Sequence, residues 1–112
     1  MHGTADETIA YEGGSTPVIN ATYPSALQSV TTWAGYDGCD TTPTATGQTF
    51  DFETNIAGEE TSVQEFGGCP TGIAVQLWSV DGGAHIPGIT FPDGSHPLTD
   101  RIIDFLLAHP KP

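Results

Sequence analysis

Ile73-Ala74-Val75-Gln76-Leu77-Trp78-Ser79-Val80, followed by Asp81-Gly82-Gly83-Ala84-His85-Ile86-Pro87-Gly88, decides how this chain is read. Ile73, Val75, Leu77 and Ser79 alternate with Ala74, Gln76, Trp78 and Val80, so both faces of the segment are largely apolar. A strand of that kind is expected inside a layered structure, covered on both sides. Gly82-Gly83 ends it abruptly and leaves His85 in the loop just beyond its carboxyl end. Residues 86 to 97, interrupted by three prolines, are expected to be irregular. A helix is then expected from Asp100 to His109, with Thr99 as N-cap and Pro110-Lys111-Pro112 as its stop. Strand, turn, histidine, loop and helix in that order make half of an α/β layered unit.

Working outward, Thr61 to Phe66 reads as another strand, and residues 40 to 60 as an extended excursion or a weak hairpin from Gln48 to Glu53. Ser25 is placed to N-cap a helix from Ala26 to Trp33, whose Ala26, Val30, Trp33 and Ala34 share a face, and Gly35 or Gly38 is placed to end it. Trp33 and Trp78 are expected to fill core. A parallel strand needs neighbours, so either the short Thr-rich segments pair with residues 73 to 80 or its natural partners lie upstream of Met1.

With 112 residues the chain is one domain at most. Fourteen acidic residues face two basic ones, a formal charge of −12 that repels phosphate backbones and anionic lipid headgroups, so neither nucleic acid nor membrane is an expected partner. The same imbalance serves solubility. Cys39 and Cys69 belong to no Cys-x-x-Cys pair, which leaves a disulfide formed in an oxidising compartment or two buried thiols. Asn20-Ala21-Thr22 is a glycosylation sequon, of a kind that also arises by chance. The low charged fraction of 14% and abundant Thr are common in exported proteins, and a secreted location is expected.

Asp6, in His2-Gly3-Thr4-Ala5-Asp6, and His85 are the two residues of chemical interest. A carboxylate on one imidazole nitrogen fixes the tautomer and stabilises the imidazolium, while the other nitrogen takes a proton from a hydroxyl. Aspartate before histidine is the order of α/β-hydrolases, in which the serine comes first. No Gly-x-Ser-x-Gly elbow occurs in the chain, and Ser15 and Ser95 sit in no strand-to-helix turn. Asp6 has a plainer role open to it, capping the turn from Thr4 to Glu7. His2, His96 and His109 are expected at the surface or in loops. No His-x-x-x-His spacing supports a metal site, and no cofactor is expected.

The motifs in order carry a resemblance: His2 to Asp6, Tyr11-Glu12-Gly13-Gly14, Trp33-Ala34-Gly35-Tyr36-Asp37-Gly38-Cys39, Gly68-Cys69-Pro70, Val75-Gln76-Leu77-Trp78, Gly82 to Gly88, and Ile103-Asp104-Phe105 before His109. The chain resembles the C-terminal third of the secreted polyhydroxyalkanoate (PHB) depolymerase and feruloyl esterase family of α/β-hydrolases. The resemblance implies an α/β fold, a few-stranded sheet with two helices, in which residues 1–112 form a single partial domain lacking the nucleophile-elbow half. It further implies that Asp6 is the triad acid, that His85 is the triad base and that Cys39 pairs with Cys69. The family's serine elbow and oxyanion-hole loop precede the aspartate and have no counterpart in these residues.

The expected function is carboxylic ester hydrolysis, of polyester or feruloylated polysaccharide, or the acid-and-base portion of such a site. Two other classes remain open: a small non-enzymatic polymer- or carbohydrate-binding module, and an inactive hydrolase fragment that self-associates as a homo-oligomer.

Overall fold

The computed structural model describes residues 1–17 and 20–110. Two helices and two sheets account for its regular structure: β1 (His2–Gly3), β2 (Gly14–Thr16), β3 (Ala21–Tyr23), α1 (Ala26–Tyr36), β4 (Pro43–Phe50), β5 (Thr61–Phe66), β6 (Val75–Val80) and α2 (Pro97–Ala108). The main sheet is mixed and runs β1-β6-β5-β4, while β2 and β3 form a separate antiparallel ribbon. Only β1 is parallel to β6; the β6-β5-β4 portion is antiparallel.

Side-chain alternation on the central strands creates the layers. Phe66 lies opposite Val75 and Val63 opposite Trp78, and each pair projects from one face of the sheet. On one face Phe66 and Val75 pack with Ala34, Val30 and the two cysteines. On the other, Val63 and Trp78 pack with Phe52, Leu98, Phe50 and Phe105. Thus α1 covers one side and α2 the other, and Val75, Leu77, Trp78 and Val80 are all buried, as a strand with two apolar faces requires. Arg101 adds a cation–π contact over Phe50, 5.1 Å from the ring centroid.

Ser25 caps α1 as its sequence position indicates, its Oγ accepting from the Gln28 N–H at 3.1 Å. The helix runs on past Trp33 to Tyr36 and stops at a Schellman turn. Gly38 takes φ +77°, its N–H donates to Gly35, and the Cys39 N–H donates to Ala34. That turn delivers Cys39 into the core, where it is bonded to Cys69 (S–S 2.04 Å).

Several expectations need correction. The excursion after residue 40 is a full strand, β4, from Pro43 to Phe50, hydrogen-bonded to β5 rather than folded on itself between Gln48 and Glu53. Pairing with a well-buried neighbour supplies the order that its Thr- and Gly-rich composition lacks. The final helix starts at Pro97, with His96 and not Thr99 at the cap, because proline at N1 already has the helical φ and needs no N–H acceptor. Trp33 is 63% exposed: Val30 and Ala34 take the face toward the sheet, and Trp33, a quarter turn or more around the helix from Ala34, stands beside Tyr36. On α2, Phe105 reaches the core, but Ile103, Leu106 and Leu107 are exposed, Leu107 at 75%. No helix among the described residues is long and apolar enough to cross a membrane.

Candidate active site

Strands β1 and β6 run parallel in the register His2↔Ser79 and Gly3↔Val80, so both end at the same edge of the sheet. The chain leaves them side by side, as Thr4 to Ile9 from one and Asp81 to Gly88 from the other. Loops beyond the carboxyl ends of parallel strands are where open α/β sheets carry function, and the β1–β6 pair reproduces that local geometry. Four hydrogen bonds staple the two loops together. The Thr4 N–H donates to the Val80 carbonyl at 2.9 Å, and the Ala5 N–H to the Gly83 carbonyl at 3.0 Å. The Gly82 N–H donates to Thr4 Oγ1 at 2.8 Å, and that hydroxyl donates to Asp81 Oδ1 at 3.2 Å. Glycine is needed where the loops touch. A Cβ on Gly3 would drive into the Gly83 carbonyl, and one on Gly83 would meet Val80 Cγ1 at 2.7 Å.

This staple carries Asp6 to His85 across 79 positions of sequence, with Asp6 Oδ2 2.9 Å from His85 Nδ1. The other oxygen, Oδ1, accepts the N–H groups of Thr8 and Ile9, both at 2.8 Å. The turn-capping role and the imidazole-orienting role are therefore filled at once, one by each oxygen. His2 Nε2 adds a third neighbour, 3.3 Å from Oδ2 and 2.8 Å from the Ile9 carbonyl. Only a protonated Nε2 can serve two oxygen acceptors, so this atom is a donor.

Asp6 is only 9% exposed. Burial alone would raise its pKa, but the hydrogen bond from His85, the Ile9 and Thr8 N–H groups and the imidazolium charge outweigh burial and hold the carboxyl at about 2, against the ordinary 3.8. An ionised Asp6 accepts at Nδ1, so a neutral His85 ring keeps its proton there and presents an unprotonated Nε2. His85 is exposed, and its Nε2 has no hydrogen-bond partner among the described residues. Both residues line a cavity of about 280 Å³, whose other walls are mainly apolar, including Ile9, Val80 and Pro87. The arrangement is an oriented base beside an apolar cleft.

The other residues singled out in the sequence lie elsewhere. Ser15 is in β2, and the Ser95 N–H donates to Asp93 in the turn before α2. Nδ1 of His96 is 3.4 Å from Thr90 Oγ1, and Nδ1 of His109 donates to the Phe105 carbonyl at 2.8 Å. His2 departs from its expected surface place: it faces Asp6, with Tyr11 edge-on against its ring at 5.6 Å. Its i,i+4 spacing to Asp6 was the available signal. Among the described residues no group of three or more His, Cys, Asp or Glu side chains is arranged to hold a metal ion. No protein-family model matches the chain, and no curated protein or solved structure is detectably similar to it.

Proposed function

We propose that this chain carries the acid and base of a Ser-His-Asp-type carboxylic ester hydrolase, of the polyester depolymerase or feruloyl esterase kind, in an α/β-hydrolase-like scaffold. The observation that carries this reading is the 2.9 Å contact of Asp6 with His85 Nδ1, beside an apolar cleft and with Nε2 unpartnered among the described residues. In the proposed reaction Nε2 removes the proton of a serine hydroxyl as that oxygen attacks the ester carbonyl. Asp6 stabilises the resulting imidazolium, which then protonates the departing alcohol. Water, deprotonated by the same Nε2, attacks the acyl-enzyme and releases the acid. The serine is supplied from outside these 112 residues, which hold no nucleophile elbow. An uncharged ester is the substrate favoured by the apolar cleft and by the formal charge of −12. The Cys39–Cys69 bond supports action in an oxidising, extracellular setting.

The test is p-nitrophenyl butyrate hydrolysis by the chain and by Asp6→Ala and His85→Ala. Without nucleophile and oxyanion donors the rate is expected to lie orders of magnitude below that of a complete site. It is nevertheless expected to fall about tenfold or more in each variant, as loss of an oriented general base predicts. Equal rates in the three proteins would overturn the proposal.

A further inference from the structure

Glu53 is a carboxylate outside the dyad and is 3% exposed. A buried charge persists only where donors surround it, and Glu53 has three. Oε1 accepts the Asn55 N–H at 2.9 Å, the Asn55 side-chain amide at 2.8 Å and the Gly88 N–H at 2.9 Å. Oε2 shares the Gly88 N–H at 3.0 Å. The Thr54 N–H closes the clamp on the Gly88 carbonyl at 2.8 Å. Gly88 has no room for a side chain, since a Cβ there would lie 2.9 Å from Glu53 Oε1 and closer still to Thr54 Oγ1.

Gly88 is the last residue of the Asp81 to Gly88 stretch that bears His85, within the irregular segment between β6 and α2. The start of that loop is held from the same segment, where the Asp81 N–H donates to the Glu60 carbonyl at 2.9 Å. Glu60 in turn braces residue 53: its Oε1 accepts the Glu53 N–H at 3.2 Å. Residues 53 to 60 thus grip both ends of the loop on one side, while Thr4 and Ala5 grip its beginning on the other.

We infer that Glu53 is a positioning residue for His85, fixing the far end of its loop so that Nδ1 stays on Asp6. This rests on the reading of His85 as an oriented base. An exposed imidazole on a loop tied at one end would sample other rotamers, and the 2.9 Å contact with Asp6 would be intermittent. Both ends tied, the ring has one resting orientation.

The experiment reads the tautomer of the neutral His85 ring from the nitrogen-15 shifts of its two nitrogens in the full chain, and needs no catalytic activity. In the unaltered protein the Nδ1–H form is expected to dominate. Glu53→Gln keeps an acceptor at the same reach and is expected to preserve the ratio. Glu53→Asp falls one methylene short of Gly88, and the ratio of Nδ1–H to Nε2–H is expected to drop about tenfold, the scale of one charge-assisted hydrogen bond. Val75→Ala, a truncation in the opposite apolar layer under α1, is expected to lower Tm and leave the ratio unchanged. An unaltered ratio in Glu53→Asp, or an equal loss in Val75→Ala, would overturn the role of Glu53. Asn55→Ala frees one side of the carboxylate and is expected to give a smaller drop. It carries the test if Glu53→Asp does not fold, and an unchanged ratio there would be equally fatal. Asp6→Asn in parallel is expected to abolish the Nδ1–H preference. A normal ratio in that variant would refute the Asp6–His85 reading itself, so the two failures are distinguishable.

Discussion

Cys39 and Cys69 are 30 residues apart and joined by a covalent bond, whereas Asp6 and His85 are 79 apart and joined by hydrogen bonds between two loops. The first closure sits among Ala34, Phe66 and Val75, in the apolar layer under α1. The second sits at the sheet edge, where glycines let two backbones touch and a carboxylate gathers N–H groups. A covalent link in an apolar layer holds regardless of protonation. A carboxylate-centred closure holds an imidazole in place, and it depends on charge. The contrast separates a closure that keeps the chain folded from one that, in the function proposed above, equips it for chemistry.

Three measurements would break or sharpen that contrast. The largest effect is expected from Cys39→Ser with Cys69→Ser, which removes about 3–4 kcal/mol by freeing a loop of this length in the unfolded chain. Urea denaturation reads this directly, and a loss below about 1 kcal/mol would deny the disulfide its structural weight. Next comes Gly3→Ala, where the new methyl group forces the loops apart. A loss of about 1–3 kcal/mol is expected, as for overpacked sites, together with weakening of the Asp6–His85 contact seen in the His85 ring shifts. A stable protein with unchanged shifts would mean that the loops do not need their close approach.

The smallest effect is a pH dependence confined to the second closure. Asp6 titrates at about 2 in the fold against an ordinary 3.8. Its ionised form therefore stabilises the fold fully above about pH 4, and the contribution disappears as pH falls through about 2. The difference in denaturation midpoint between the parent protein and Asp6→Asn is expected to shrink over that window. The difference due to the disulfide is expected to stay constant over it. A gap for Asp6→Asn that does not narrow on acidification would contradict the charge dependence.

Much of the scaffold was legible along the chain. Ser25 before an amphipathic run, and alternation from Thr61 to Phe66, are local signals whose physics lies in neighbouring residues. The apolar run ending at Gly82-Gly83 likewise announced a buried strand followed by a loop with His85 in it. Less legible were elements whose order comes from partners. Pro43 to Phe50 has weak strand character, yet pairs along β5 because that neighbour offers a hydrogen-bonding edge. Trp33 fell on the helical face read as apolar, but Val30 and Ala34 occupy the core side and leave it outside. Glu53 gave no sequence signal at all. A glutamate between Phe52 and Thr54 looks like surface, and only the approach of Gly88 makes it a buried acceptor.

The sequence by itself determined the local units: one capped helix, the central strands, the existence of a final helix though not its start, and the presence of an aspartate and a histidine each in a glycine-containing turn. Those features depend on backbone propensity and on the period of apolar side chains, which adjacent residues carry. Only the tertiary structure decided that β1 lies parallel to β6 and that Glu53 meets Gly88 at the end of the His85 loop. Each of these is a contact between groups far apart in the chain. Its energy comes from excluding water around donors and acceptors that meet only once the sheet has formed.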